Sequence, residues 1–115
     1  MSHDLGLYYD DGLAQVEIFE EGGTYSLGGS SEAELNITYN YSWFFYRVLD
    51  KEKGLRCLYG KTGQETIKIL EQAVAELGTD QYKDYWAPTP GNAGHALKIL
   101  LRWARQHPTA IWRGD

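Results

Sequence analysis

The chain has 115 residues, 43% of them hydrophobic, with four Trp, nine Tyr and three Phe, which gives room for one core and excludes a disordered chain. Its apolar runs fall well short of a bilayer span, no signal peptide is expected before the first strand, and the one cysteine, Cys57, cannot close an internal disulfide. The expectation is a single domain over residues 1–115, cytoplasmic, with no membrane partner. The net charge of -5 is unevenly spread: residues 1–34 hold eight acids and no Lys or Arg, whereas residues 35–115 hold all eleven cations against eight acids. That distribution lacks the basic surplus general nucleic-acid binding needs, leaves room for a small anion in the second part, and lets an acidic front meet a basic remainder within or between subunits.

In chain order, residues 5–9 form an apolar and aromatic run, Asp10-Asp11-Gly12 supplies turn chemistry, and Ala14, Val16 and Ile18 alternate with polar neighbours, which predicts a hairpin. Glu21-Gly22-Gly23 breaks the second strand, residues 24–27 read as a third, and Gly28-Gly29 breaks again. Leu35, Ile37 and Tyr39 then alternate with Asn36, Thr38 and Asn40, the pattern of a strand with one apolar and one hydrogen-bonding face. Ser42 is placed to cap the aromatic helical segment that follows, Trp43-Phe44-Phe45-Tyr46.

Two further helices are announced by their ends. Thr62 with Glu65 three residues on makes a capping box, Ile67, Leu70, Val74 and Leu77 keep helical spacing, and Gly78 stands at the stop, which predicts a helix over 63–77. Residues 79–87 are a polar connection whose Tyr82, Tyr85 and Trp86 are expected to fold back on the core. Thr89 and Pro90 open the last helix, Ala93, Ala96, Leu97, Leu100, Leu101 and Ala104 form its buried face, and Pro108 ends it. Residues 109–112 read as a final strand beside an N-terminal one. The sum is α+β: a small antiparallel sheet with about three helices on one face.

Asn36, Thr38 and Asn40 beside Tyr39, Tyr41 and Trp43 suit a recess for a flat polar ligand, or else a half-buried strand whose amides tie down loops. Lys61-Thr62-Gly63 ends in the letters of a phosphate loop but lacks its upstream glycine, so it offers an anion seat at a helix start, or simply a capped one. Thr89 to Asn92 is a second such start, with His95 one turn on. Arg47 and Arg56 flank the aromatic segment and suit stacking on or pairing with a charged ligand. Trp103 and Trp112 fit either the core or a subunit contact. The three histidines show no metal-ligand spacing, no nucleophile motif occurs, and neither metal nor cofactor is expected.

Across Gly22-Gly23-Thr24-Tyr25, residues 35–41, Tyr59-Gly60-Lys61-Thr62-Gly63, Tyr85-Trp86, Gly91-Asn92-Ala93 and residues 108–115, the chain resembles a family of small uncharacterised proteins of phage and prophage genomes. By analogy with small phage proteins that act as sponges, the resemblance implies a compact homo-oligomer that sequesters a nucleotide-derived signal of bacterial anti-phage defence inside the host cell. A base would then stack on Tyr39, Tyr41 or Trp43. Its edge or ribose would meet Asn36, Thr38 and Asn40, and its phosphates Lys61, Arg56 and the two helix starts. The alternative is a protein-binding inhibitor or scaffold acting on a host or viral partner. A small nucleotide-converting enzyme using His95 as acid or base is the third reading.

Overall fold

The computed structural model describes residues 1–20, 22–24 and 29–115, with the backbone alone at residues 17–20 and 23–24. Apart from Thr24, the strand expected at residues 24–27 lies outside the described residues.

The sheet is built on β1 (Ser2–Tyr9). Leu5 and Gly6 pair antiparallel both with β6 (Glu34–Thr38) and with β7 (Ile111–Gly114), so those two strands flank β1 on opposite edges. β2 (Gly12–Leu13) returns from the Asp10-Asp11 turn to pair with Tyr8 and Tyr9, and β4 (Gly23–Thr24) adds to β6 in parallel. β3 (Gln15–Glu20) and β5 (Ser30–Glu32) make a separate two-stranded sheet. The register puts His3 opposite Ile37, Leu5 opposite Leu35 and Leu7 opposite Trp112, and all six are buried. Paired residues share a face, so this row is the floor of the core. The expected final strand therefore forms, and it does lie beside an N-terminal one.

Three helices complete the α+β fold: α1 (Ser42–Val48), α2 (Gly63–Leu77) and α3 (Pro90–Gln106). The boundaries of α2 are those the capping box and Gly78 predict, because Thr62 accepts from the Glu65 N–H while the Glu65 carboxylate accepts from the Thr62 N–H. Ala93, Ala96, Leu97, Leu100, Leu101 and Ala104 are all buried along α3. Small residues on its first turns let the backbone after α2 come close: a side chain at Gly94 would run into the Gly78 carbonyl.

One feature departs from the sequence pattern. The alternation through Asn40 stops at Thr38, since residues Tyr39–Tyr41 wind into a 3-10 turn whose first free N–H, on Asn40, is taken by the Thr38 hydroxyl. Thr38 rather than Ser42 is thus the capping residue here. The segment after α1 is a second 3-10 turn, Gly54–Leu58.

Trp103 and Trp112 are fully enclosed, which places both in the core. The Trp112 indole donates to Thr66 Oγ1 at 2.8 Å, and that hydroxyl donates to the Gly63 carbonyl at 2.8 Å. This relay fastens β7 to the first turn of α2. Thr66→Val keeps the volume but strands a buried indole N–H, and is expected to cost about 1–3 kcal/mol by urea denaturation. Thr109→Val, on an exposed turn, should move stability by no more than about 0.5 kcal/mol.

Candidate functional site

The polar row expected on β6 does not form, because its members are drawn apart by the 3-10 turn and used inside the fold. Asn36 Nδ2 donates to Ser2 Oγ and to Asp4 Oδ1, both at 2.7 Å. Thr38 is buried beneath its capping bond. Asn40 alone is exposed, and its Nδ2 donates to the Trp86 carbonyl at 2.9 Å. Tyr41 is fully enclosed between the Phe45 and Tyr85 rings and donates its hydroxyl to the Tyr85 carbonyl, so no ligand can stack on it. Tyr39 lies edge-on to His3, with ring centroids 4.6 Å apart, and its hydroxyl meets Arg56 Nη2 at 3.4 Å.

Neither helix start is an open anion seat. At α2 the Gly63 N–H donates to the Ala110 carbonyl, the Gln64 N–H to the Pro108 carbonyl, and the Glu65 N–H to Thr62, so the donors an anion would need are consumed. The Glu65 carboxylate already occupies the positive end of the dipole. Lys61 is exposed beside this sealed turn. At α3, Pro90 has no N–H, Asn92 donates to Thr89 Oγ1 and Ala93 to the Thr89 carbonyl. His95 is buried in the helix, so it shares no mouth with Asn92.

Asn92 has a different task. Its Oδ1 accepts from the Tyr82 N–H at 2.8 Å, and its Nδ2 donates to the carbonyls of Asp84 at 3.0 Å and Ala87 at 2.9 Å. One buried amide thereby satisfies three main-chain groups of the connection between α2 and α3. Asp84 Oδ1 accepts from the Trp86 N–H at 3.0 Å, Tyr41 and Asn40 bind the Tyr85 and Trp86 carbonyls, and the Tyr85 hydroxyl reaches the Asn36 carbonyl at 3.4 Å. Burial pushes the Tyr85 phenol above its usual pKa.

The product is an ordered connection without helix or strand that points two rings outward. Tyr85 folds back on the core as expected, but Tyr82 is 54% exposed and Trp86 53%. The Asn40 bond joins Trp86 to the segment that leads into α1, where Trp43 is 64% exposed and carries the Arg47 guanidinium 5.0 Å from its ring centre. Tyr46, on the same short helix, is also exposed. Of the expected residues, Trp43 and Arg47 are in contact, and Asn40 joins the segment before them to the main chain of Trp86. Arg56 turns instead toward Tyr39. No group of three or more His, Cys, Asp or Glu side chains is placed to hold a metal among the described residues, and no helix is long and apolar enough to cross a membrane.

Comparison with known proteins returns no matching family model, no matching curated protein and no matching solved structure, so the site rests on its own residues.

Removing the Asn92 amide should free residues 80–87 while leaving the helices intact. Asn92→Ala is expected to cost about 2 kcal/mol or more and to speed amide hydrogen exchange in that connection well before exchange in α3. The start of β1 gives a pH prediction. Burial holds the His3 imidazole below its ordinary pKa of 6.5, and Arg56 adds to this, against the Asp115 carbonyl and the carboxylates of Asp115 and Asp4. The unfolded chain then takes up the His3 proton first, so this contribution to stability is present above the ordinary value and is lost progressively as pH falls below it and through the lowered folded value. The urea midpoint should drop from about pH 7.5 to about pH 5.5, and His3→Asn should flatten that drop.

Proposed function

We propose that the protein works by binding a partner protein on the face formed by Trp43, Arg47 and Trp86, and so serves as an inhibitor or scaffold. Its resemblance to small phage and prophage proteins makes a host or viral protein the natural partner. The observation that carries this reading is the exposure of two indoles on ordered backbone, 64% for Trp43 and 53% for Trp86, tied to each other's segments through Asn40. Indole and guanidinium groups are the residue types on which protein interfaces concentrate their binding energy. Each indole left half in water holds back on the order of 2–3 kcal/mol of burial that a partner surface supplies.

A small nucleotide needs more enclosure than this face provides, because pockets for such ligands cover most of their surface. The recess of about 420 Å³ at the end of α2 has no Lys or Arg in its wall, and the one beside His3 and Lys53, about 10 Å³, has no space for a nucleotide. Sequestration of a nucleotide-derived signal remains a second reading on one observation. The Arg47 guanidinium over Trp43 is also a platform on which a base stacks, and a second copy facing it would supply the missing wall.

Purified protein incubated with cell extract, freed of unbound material and denatured releases what it held. A partner protein recovered with the wild type and with Lys68→Ala, on the exposed side of α2, but lost at least about tenfold with Trp43→Ala and with Trp86→Ala supports protein docking. An intact nucleotide with the same dependence supports sequestration, and a converted one supports turnover. Equal retention by all four proteins rules out this face.

A further inference from the structure

The recess at the end of α2 lies against the same ordered connection that carries the exposed Trp86 indole, and its wall has a chemical character of its own. Leu77 and Pro90 give it an apolar side, the exposed Tyr82 ring an aromatic one, and Asp80 is its one charged residue. Asp80 has no ion-pair partner among the described residues. The last turn of α2 contains no basic residue, so no cation of that turn offsets the partial negative charge on its terminal carbonyls, and Glu76 adds to it. Gly78, with φ of 75°, leaves open space where a side chain would otherwise stand. The start of α3 also borders the recess; its first residue is proline, and the Asn92 N–H is taken by the Thr89 hydroxyl. Neither Lys83 nor Lys98, the nearest cations in sequence, belongs to the wall.

An electronegative recess of about 420 Å³ with one aromatic wall and one carboxylate suits a planar cation. The geometry points to a guanidinium site: an arginine side chain of the docked partner enters here, stacks on Tyr82, pairs with Asp80 and faces the last carbonyls of α2. This rests on the protein-docking reading and deepens it, since it adds a second anchor beside Trp86 and states what the partner must present there.

The site can be tested without the partner. N-acetyl-arginine methylamide is titrated into the full chain while the amide resonances of Gly78, Asp80, Tyr82 and Gly91 are followed by NMR, with N-acetyl-citrulline methylamide as the uncharged probe of the same shape. Saturable shifts at these amides are expected with the arginine probe. The citrulline probe should bind about three- to tenfold more weakly, and Asp80→Asn and Tyr82→Leu should each weaken the arginine probe by about two- to tenfold. Both side chains are exposed, so an unchanged urea midpoint is expected of the two variants and separates loss of the site from loss of the fold. Absence of saturable shifts, equal binding of the two probes, or indifference to Asp80→Asn would overturn the assignment. The titration does not involve Trp43, so a failure here leaves the indole face standing. Success here alongside equal retention by the indole variants would leave a guanidinium site without that face.

Discussion

One buried side-chain amide decides where the connection between α2 and α3 lies. Asn92 sits at the third position of α3 and reaches back to the main chain at Tyr82, Asp84 and Ala87. A connection of this length without helix or strand carries many backbone polar groups, and in a small protein they must be met by water or by a local organiser. Here the organiser is inside, so the chain wraps around it and its larger side chains divide. Tyr85 turns in against Tyr41, while Tyr82 and Trp86 are left outside. The exposure of these two rings follows from a backbone fixed for other reasons.

The same economy explains why the polar residues that look most like ligand contacts are structural. In a chain of this size the ends of α2 and α3 fall against other segments, so their free N–H groups are met by carbonyls of the C-terminal run or by their own caps. Asn36 is held between two side chains of β1, and Thr38 closes a 3-10 turn. What remains available to another molecule is mainly rings and cations: Trp43 with Arg47, Tyr46, Trp86, and Tyr82 above an acidic recess. A surface of that kind has little with which to read the edge of a base, but much with which to bury area against a protein.

Where local signals determine an element, the sequence was enough to read it. The capping box at Thr62 and Glu65, the Thr89-Pro90 start and the glycine stop at Gly78 act within one or two turns, and the helices begin and end there. The turn at Asp10-Asp11 and the C-terminal strand were legible for the same reason, but the expected hairpin forms only through Gly12 and Leu13, since Gln15–Glu20 leaves β1 to pair with β5 in the second sheet. The site was less so. Asn40, Trp43 and Arg47 were identified, yet the reason for choosing Asn40 was an alternation that a single capping hydroxyl interrupts at Thr38. Asn92 was identified with the opposite role, because nothing in the residue order tells whether an amide at a helix start faces solvent or a chain folded over it. Trp86 was expected inside, since hydrophobicity alone does not say that contacts to the carbonyls of Asp84, Tyr85, Trp86 and Ala87 hold this backbone at the surface.

An aromatic face exists only if residues 80–87 are held in one conformation with the Tyr82 and Trp86 rings in water. Backbone ¹⁵N relaxation measures this directly. Order parameters for these residues near those of the helices, about 0.85, are what the Asn92 bonds require. Values below about 0.6 would mean that the connection samples many shapes, and no preformed aromatic face would then exist.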